Sequence, residues 1–289
     1  MESNLHKYLA FVKVAELGSF TKAAEVLNYT QSAVSRMIAD LETECGLSLL
    51  MRSKRGIQLT HTGQQLLPLV RNVCHEYQVL ISNINELHGL QSGTIRIGAF
   101  SSVASHWLPP IIKKFQTDYP EIEYELLMGT YSEIESWILE GKADCGFLPM
   151  PVDPRLKSFP LGEDELVVIL PPDHPLANCH EFPIKELANY PFILPKTGEV
   201  SDVSPIFENH SIKPDIRYST FDDYAIMSMV ENGLGISILP SLILRRNPYN
   251  ISQKHLEKPS YRKICLAIRN EASIPPVAKR FIEYLKYKE

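Results

Sequence analysis

The 289-residue chain has no stretch approaching the ~18 consecutive apolar residues of a membrane-spanning helix. Its opening, Met1-Glu2-Ser3-Asn4, has neither the basic start nor the unbroken apolar run of a secretory signal, so a cytoplasmic protein without membrane contact is expected. Cysteine is sparse: Cys45, Cys74, Cys145, Cys179 and Cys265 are scattered and form no C-x-x-C pair, which argues against a disulfide framework. No G-x-S-x-G, H-E-x-x-H or G-x-x-x-x-G-K-[ST] motif occurs, so hydrolase, zincin and P-loop readings have no support. Internal repeats and low-complexity tracts are absent as well. An excess of basic charge is also missing. The net charge is −5, and residues 1–92 carry as many acidic as basic side chains. A nucleic-acid function has to rest on where charges sit, not on their sum.

With apolar residues at 44% and charged residues at 22%, the composition is that of an ordinary globular protein long enough for two or three domains. Residues 5–17 predict a helix with Leu5, Leu9, Val12 and Leu17 on its apolar face. A short helix over 21–27 follows Gly18-Ser19, then a tight turn at Asn28-Tyr29. Thr30 is placed to cap a third helix, with Val34, Ile38 and Leu41 facing inward and Gly46 as the stop. That leaves Gln31, Ser32, Ser35, Arg36 and Ala39 outward, on the end of the helix that reads base edges in a major groove. Ser19 and Thr21, at the start of the preceding helix, suit phosphate. The residues after Leu47 predict strand, basic turn and strand, a wing whose Arg52, Lys54 and Arg55 suit phosphate or the minor groove. Any one of these taken alone is more often a solvated charge or a cap; their order and spacing together point to DNA.

From about residue 62 to 90 a second pattern runs. Leu66, Val70, Val73, Tyr77, Leu80, Ile84 and Leu87 repeat every three or four positions, the seam of two helices packed together. The bland alternative is an amphipathic helix packed on its own domain. Pro68 lies early in the seam and predicts a kink. Beyond Gln91-Ser92-Gly93, strand patterns at 94–100, 122–128, 144–148, 165–170, 192–194, 215–220, 235–239 and 262–269 alternate with helix patterns at 107–117, 132–140, 204–210, 223–232 and 276–286. This predicts an α/β domain with a largely parallel sheet. In such sheets ligands bind beyond the carboxyl ends of strands. The loops there hold Ser101, Ser102, Thr130, Lys196, Thr197 and Phe221, with Tyr131 beside them. Hydroxyls and helix-terminal amides suit a carboxylate or other small anion, with Lys196 adding charge and Phe221 contacting an apolar body.

The run Gly18-Ser19-Phe20-Thr21-Lys22-Ala23-Ala24-Glu25-Val26-Leu27, then Thr30-Gln31-Ser32-Ala33-Val34-Ser35-Arg36-Met37-Ile38, resembles the signature of LysR-type transcriptional regulators. Leu41-Glu42, Gly46-Leu47, Leu50, Arg52 and Leu59-Thr60-His61-Thr62-Gly63 continue it in register. Gly93 to Gly98, Pro172 to Ala177 and Val230 to Pro240 resemble later landmarks of the same family. Ser32 stands where the family often has proline, and Met51 where a polar residue is usual.

The resemblance implies a winged helix-turn-helix over 1–60, a dimerising linker helix over 61–91 and a ligand-sensing domain over 92–289. The last is a two-lobed α/β fold like the periplasmic solute-binding proteins, with lobe I about 93–163 and 268–289 and lobe II about 164–267. The implied partners are a double-stranded DNA operator, a small-molecule effector between the lobes, further copies of the chain in a homodimer or homotetramer, and RNA polymerase. No catalysis, cofactor or metal is expected. His174, Cys179 and His180 lie close together, but His174 belongs to the family's loop and no fourth zinc ligand is evident. Redox sensing would need a reactive thiol with a partner, and only Cys179 lies near the relevant part of lobe II. A solute-binding or transport protein, and an enzyme with an accessory DNA-binding domain, are the rival classes.

Overall fold

A computed structural model describes residues 5–53, 56–88, 92–196 and 201–287. The chain divides into two compact units, residues 1–90 with 139–142, and residues 91–138 with 143–289.

In the first unit, α1 (Leu5–Leu17), α2 (Phe20–Leu27) and α3 (Gln31–Cys45) pack around one core. The inner side of α1 is Ala10, Phe11, Val12 and Val14, with Leu5 and Leu9 partly buried. Leu17, expected inside, is exposed. Asn28 turns the chain in the left-handed region, and Thr30 caps α3 by accepting a hydrogen bond from the Ala33 amide. Val34, Ile38 and Leu41 are buried, and α3 ends at Gly46 with φ of 64°. Glycine is favoured there because it has no Cβ to clash. The wing follows as an antiparallel pair, β1 (Leu50–Ser53) and β2 (Gly56–Leu59). Its tip, with Lys54 and Arg55, lies outside the described residues. The Ile57 amide donates to the Gly18 carbonyl, pinning the wing to the turn between α1 and α2.

Helix α4 (His61–Leu87) starts at Thr60, whose hydroxyl accepts from the Gly63 amide, and runs through Pro68 as one element. Gly63 sits so close to the wing that an added Cβ would lie 2.1 Å from the Leu49 carbonyl oxygen. The seam splits along its length. Leu66 and Val70 pack into the core of their own unit, whereas Val73, Tyr77, Leu80, Ile84 and Leu87 are exposed.

The second unit runs β3 (Gly93–Ala99), α5 (Ser101–His106), α6 (Leu108–Asp118), β4 (Ile122–Met128), α7 (Tyr131–Leu139), β5 (Cys145–Pro149), β6 (Lys157–Leu170), β7 (Glu181–Phe182), β8 (Pro191–Pro195), α8 (Ser204–Asn209), β9 (Asp215–Thr220), α9 (Asp223–Glu231), β10 (Ser237–Pro240), β11 (Ser252–Leu256), β12 (Ser260–Ile268) and α10 (Pro276–Glu283). The main sheet has the order β4-β3-β5-β12-β6-β11-β7, with β10 on β6. β3 pairs in parallel with β4 and β5, and β8 with β9. β11 and β7 are also parallel, but the long strands at the centre of the sheet depart from the expected parallel character. β12 is antiparallel to both β5 and β6, and β10 and β11 are antiparallel to β6. The long strands β6 and β12 cross from one lobe to the other and back, so they run in opposite directions.

Residues 166–170 of β6, Leu-Val-Val-Ile-Leu, are all buried because both sheet faces are covered. Leu166, Val168 and Leu170 meet Phe182, Phe192, Phe207 and Ile238, while Val167 and Ile169 meet Ile193, Ile226, Met227 and Leu239. In the other lobe Phe115 stacks edge-on against Phe281 and Tyr284, tying α10 to α6.

Candidate functional site

On α3, Gln31, Ser32 and Arg36 are exposed, Ser35 is half-buried, and the opposite face is the core. Thr30 bonds the Ala33 amide at 3.2 Å and lies 3.1 Å from the Ser32 hydroxyl. Ser19 caps α2 by accepting from the Lys22 amide at 3.4 Å, and Thr21 beside it is exposed. An oxygen that accepts a capping bond keeps its O–H proton, so these hydroxyls can still donate to a phosphate. Arg52 lies in β1. Tyr29, exposed and bonded to His6 Nδ1 at 3.2 Å, stands next to the cap of α3 and was not singled out from the sequence.

The second unit contains a cavity of about 290 Å³. Phe100, Ser101, Ser102, Thr130, Tyr131, Glu133, Lys196, Asp202, Phe221, Asp223 and Arg262 are among its lining residues. The structure therefore brings together five of the six sequence-predicted effector residues; Thr197 lies outside the described residues. Two details differ from expectation. Ser101 and Ser102 open the short helix α5 instead of lying in a loop, and this turns Ser102 inward until it is 2% exposed. Thr130 is not a free donor either. Its amide and hydroxyl both donate to Glu133 Oε2 at 2.8 Å, so the helix start already holds a carboxylate of its own. The spacing Thr130-Tyr131-Ser132-Glu133 is a capping box, a local signal from which this pairing is legible in the sequence.

At the centre lies Arg262, on β12 and 7% exposed. Its Nε and Nη2 donate to Asp164 Oδ2 at 3.0 and 2.7 Å, and Nη2 also donates to the Ser102 hydroxyl at 2.6 Å. Nη1 donates to the Tyr131 hydroxyl at 2.9 Å and to Asp202 Oδ2 at 3.4 Å. The Tyr131 hydroxyl donates in turn to Asp202 at 2.7 Å. The guanidinium also stacks on Phe100, 4.7 Å from the ring centre. Asp164 uses its other oxygen to accept from the Ser241 hydroxyl and the Leu242 amide. Although burial opposes its charge, Tyr131, Asp164 and Asp202 push the Arg262 pKa above its usual range, and burial pushes the Tyr131 phenol up. Burial also raises the Asp223 carboxyl to about 6, only partly offset by Arg262. Arg262, Asp164, Asp202 and Asp223 escaped the sequence reading because an alternating strand and a polar loop contain charged residues whether or not they are buried.

His174 is structural here: its Nδ1 accepts from the Leu176 amide and its ring packs on Tyr190.

Known proteins agree with this architecture. The family described as LysR substrate binding domain matches residues 88–288, and that described as bacterial regulatory helix-turn-helix protein, lysR family, matches residues 5–64. The uncharacterized HTH-type transcriptional regulator YvbU of Bacillus subtilis is 33% identical over 279 residues, covering 96% of this chain and 95% of its own. The probable HTH-type transcriptional regulator LrrA of Synechococcus elongatus is 33% identical over 285 residues, covering 98% and 96%. Among solved structures, a full-length OxyR variant from Pseudomonas aeruginosa superposes with a TM-score of 0.75 at 23% identity, covering 97% of this chain and 92% of that one. Full-length CbnR in complex with its target DNA gives 0.72 at 22% identity over 100% of both chains. These two likenesses support the fold. The chain belongs to the LysR family of transcriptional regulators, DNA-binding proteins that carry an effector-binding domain and are not enzymes.

Proposed function

We propose that this regulator reads an operator with α3 and changes its hold on that DNA when a small molecule enters the cavity between its two lobes. The observation that carries the reading is a capped α3 whose apolar side is buried while Gln31, Ser32 and Arg36 stand open to solvent. Ser35 orients from the flank. Ser19, Thr21, Thr30 and the wing residues Arg52, Lys54 and Arg55 supply phosphate contacts. The division into 1–60, 61–91 and 92–289, with lobe II at about 164–267, assigns DNA reading, dimerisation and sensing in that order. Support for the middle assignment is the exposed apolar stripe of α4, which a single chain leaves open to water. The assembled form is a homodimer or homotetramer working in the cytoplasm with RNA polymerase. Among the described residues no helix is long and apolar enough to cross a membrane.

Ser101, Lys196 and Phe221 remain available for an effector. The anionic effector expected from the sequence keeps Lys196 and the Ser101 hydroxyl as support, but loses Ser102 to Arg262 and Thr130 to Glu133. The test is fluorescence anisotropy with DNA from upstream of the chain's own gene, with and without a metabolite panel. A sequence-specific complex whose affinity or footprint one metabolite changes is the expected result. Binding that ignores both DNA sequence and every metabolite would defeat the reading.

A further inference from the structure

The chemistry of the cavity wall decides which class of effector fits, given the reading of this cleft as the sensor. A guanidinium has five N–H donors. The bonds of Arg262 to Asp164, Ser102, Tyr131 and Asp202 use all five, so it has none left for a bound anion. Asp164 matches its charge at 2.7 Å. The amide and hydroxyl of Thr130 are closed by Glu133. What remains of the lining charge is Glu133, Asp202 and Asp223 against the exposed Lys196. An anion would have Lys196, the Ser101 hydroxyl and the start of α5 to hold it, but would sit among three carboxylates, and repulsion between like charges costs more in a cavity than in water. The Asp223 carboxyl, in contrast, lines the cavity, feels Arg262 only through its charge and accepts no hydrogen bond among the described residues. A half-buried carboxyl without a partner is an acceptor waiting for a donor. Phe221, 64% exposed at the same wall, offers a ring face to a cation. Leu166, Val203 and Ile238 supply an apolar floor, and the small volume limits the ligand's body.

We infer that the effector is a small organic amine, its ammonium group seated against the Asp223 carboxyl and its apolar body against Phe221 and the floor. The carboxyl is faced by Arg262 from β12, by Asp202 from the segment before α8 and by Asp222 from the cap of its own helix, while Lys196 and Glu133 line the same cavity. With burial raising Asp223 to about 6, the ammonium binds the ionised form, so affinity rises with pH up to that point.

The full-length protein is titrated with benzylamine and with phenylacetate, similar in size and opposite in charge, by ligand-observed NMR and thermal shift. Benzylamine is expected to bind in preference to phenylacetate, roughly tenfold more weakly at pH 5 than at pH 7.5, because one pH unit below the pKa leaves about a tenth of the carboxyl ionised. Asp223→Asn is expected to remove the preference and its pH dependence. Its melting transition checks that it folds. Benzylamine binding that is unchanged in Asp223→Asn overturns the seat proposed for the amine. A preference for phenylacetate that Phe221→Ala weakens overturns the charge class and leaves the cleft as the sensor. Binding of neither probe, or binding that ignores both Asp223→Asn and Phe221→Ala, overturns this inference, while the DNA-binding test with the metabolite panel decides the sensor reading separately.

Discussion

Arg262 shows how much a single buried charge organises. It reaches Ser102 and Tyr131 in one lobe and Asp202 in the other from a strand that crosses between them. Removing it strands Asp164 without its cation at 4% exposure. Breaking one side of a buried ion pair typically costs ~3–5 kcal/mol, so Arg262→Met should lower unfolding stability by about that much in a urea titration. The paired variant Arg262→Met/Asp164→Asn, which removes the stranded charge but keeps an acceptor for Ser241 and Leu242, should recover part of the loss; a double variant as unstable as the single one would mean that packing and lost hydrogen bonds, not charge, set the cost. On α3, Arg36→Ala should weaken operator binding by ~1–3 kcal/mol if the side chain pairs a base, with Gln31→Ala weakening it at a different base position. Equal affinity for wild type and both variants, with folding intact, would remove α3 as the reader.

At the scale of the element, α4 carries two jobs in series. Its first turns belong to the core of the N-terminal unit, and Gly63 is what lets them approach the wing. A methyl group there would collide with the Leu49 carbonyl, and backbone does not move aside cheaply. Gly63→Ala should therefore destabilise this unit, as read by a lowered melting temperature of full-length protein, in spite of alanine's better helix propensity. The later turns face outward, with Leu80 54% exposed near the middle of the stripe. Burying a leucine contributes about 1.5–3 kcal/mol, and placing a carboxylate there adds its desolvation. If α4 is the dimer contact proposed above, Leu80→Asp should shift the dissociation constant by more than tenfold in sedimentation velocity, while the same change at Leu17, exposed on α1, should leave it alone. An unchanged oligomer for Leu80→Asp would place assembly elsewhere.

For the molecule as a whole, pH reports on the cleft. Asp223 has a native-state pKa raised to about 6, above the value of an unfolded carboxyl, so its protonated form favours the fold. That contribution is complete below the unfolded pKa, near ~4, and is lost as pH rises through about 6. Asp223→Asn should lack this loss and be the more stable protein at pH 7 in chemical denaturation. If wild type and Asp223→Asn have parallel stability profiles between pH 4 and 7, Asp223 titrates as an ordinary exposed carboxyl.

Much of this was open to reading from local pattern alone. The caps at Ser19 and Thr30, the inward triplet Val34, Ile38 and Leu41, the stop at Gly46 and the apolar repeat of α4 each follow from a few neighbouring residues, because helix period and capping chemistry are local; which part of that repeat stays exposed does not. The same holds for most strands of the second unit and for the loops that line its cavity. The sequence determined the modules, their order and the family. Tertiary structure alone decided the antiparallel crossing of β6 and β12, which joins residues about a hundred positions apart. It also decided the state of the cleft. Whether Ser102 faces a ligand or Arg262, and whether Arg262 is solvated or saturated, depends on groups from five separate segments meeting at one point. No spacing encodes that meeting, since hydrogen-bond donors and burial are set by neighbours in space.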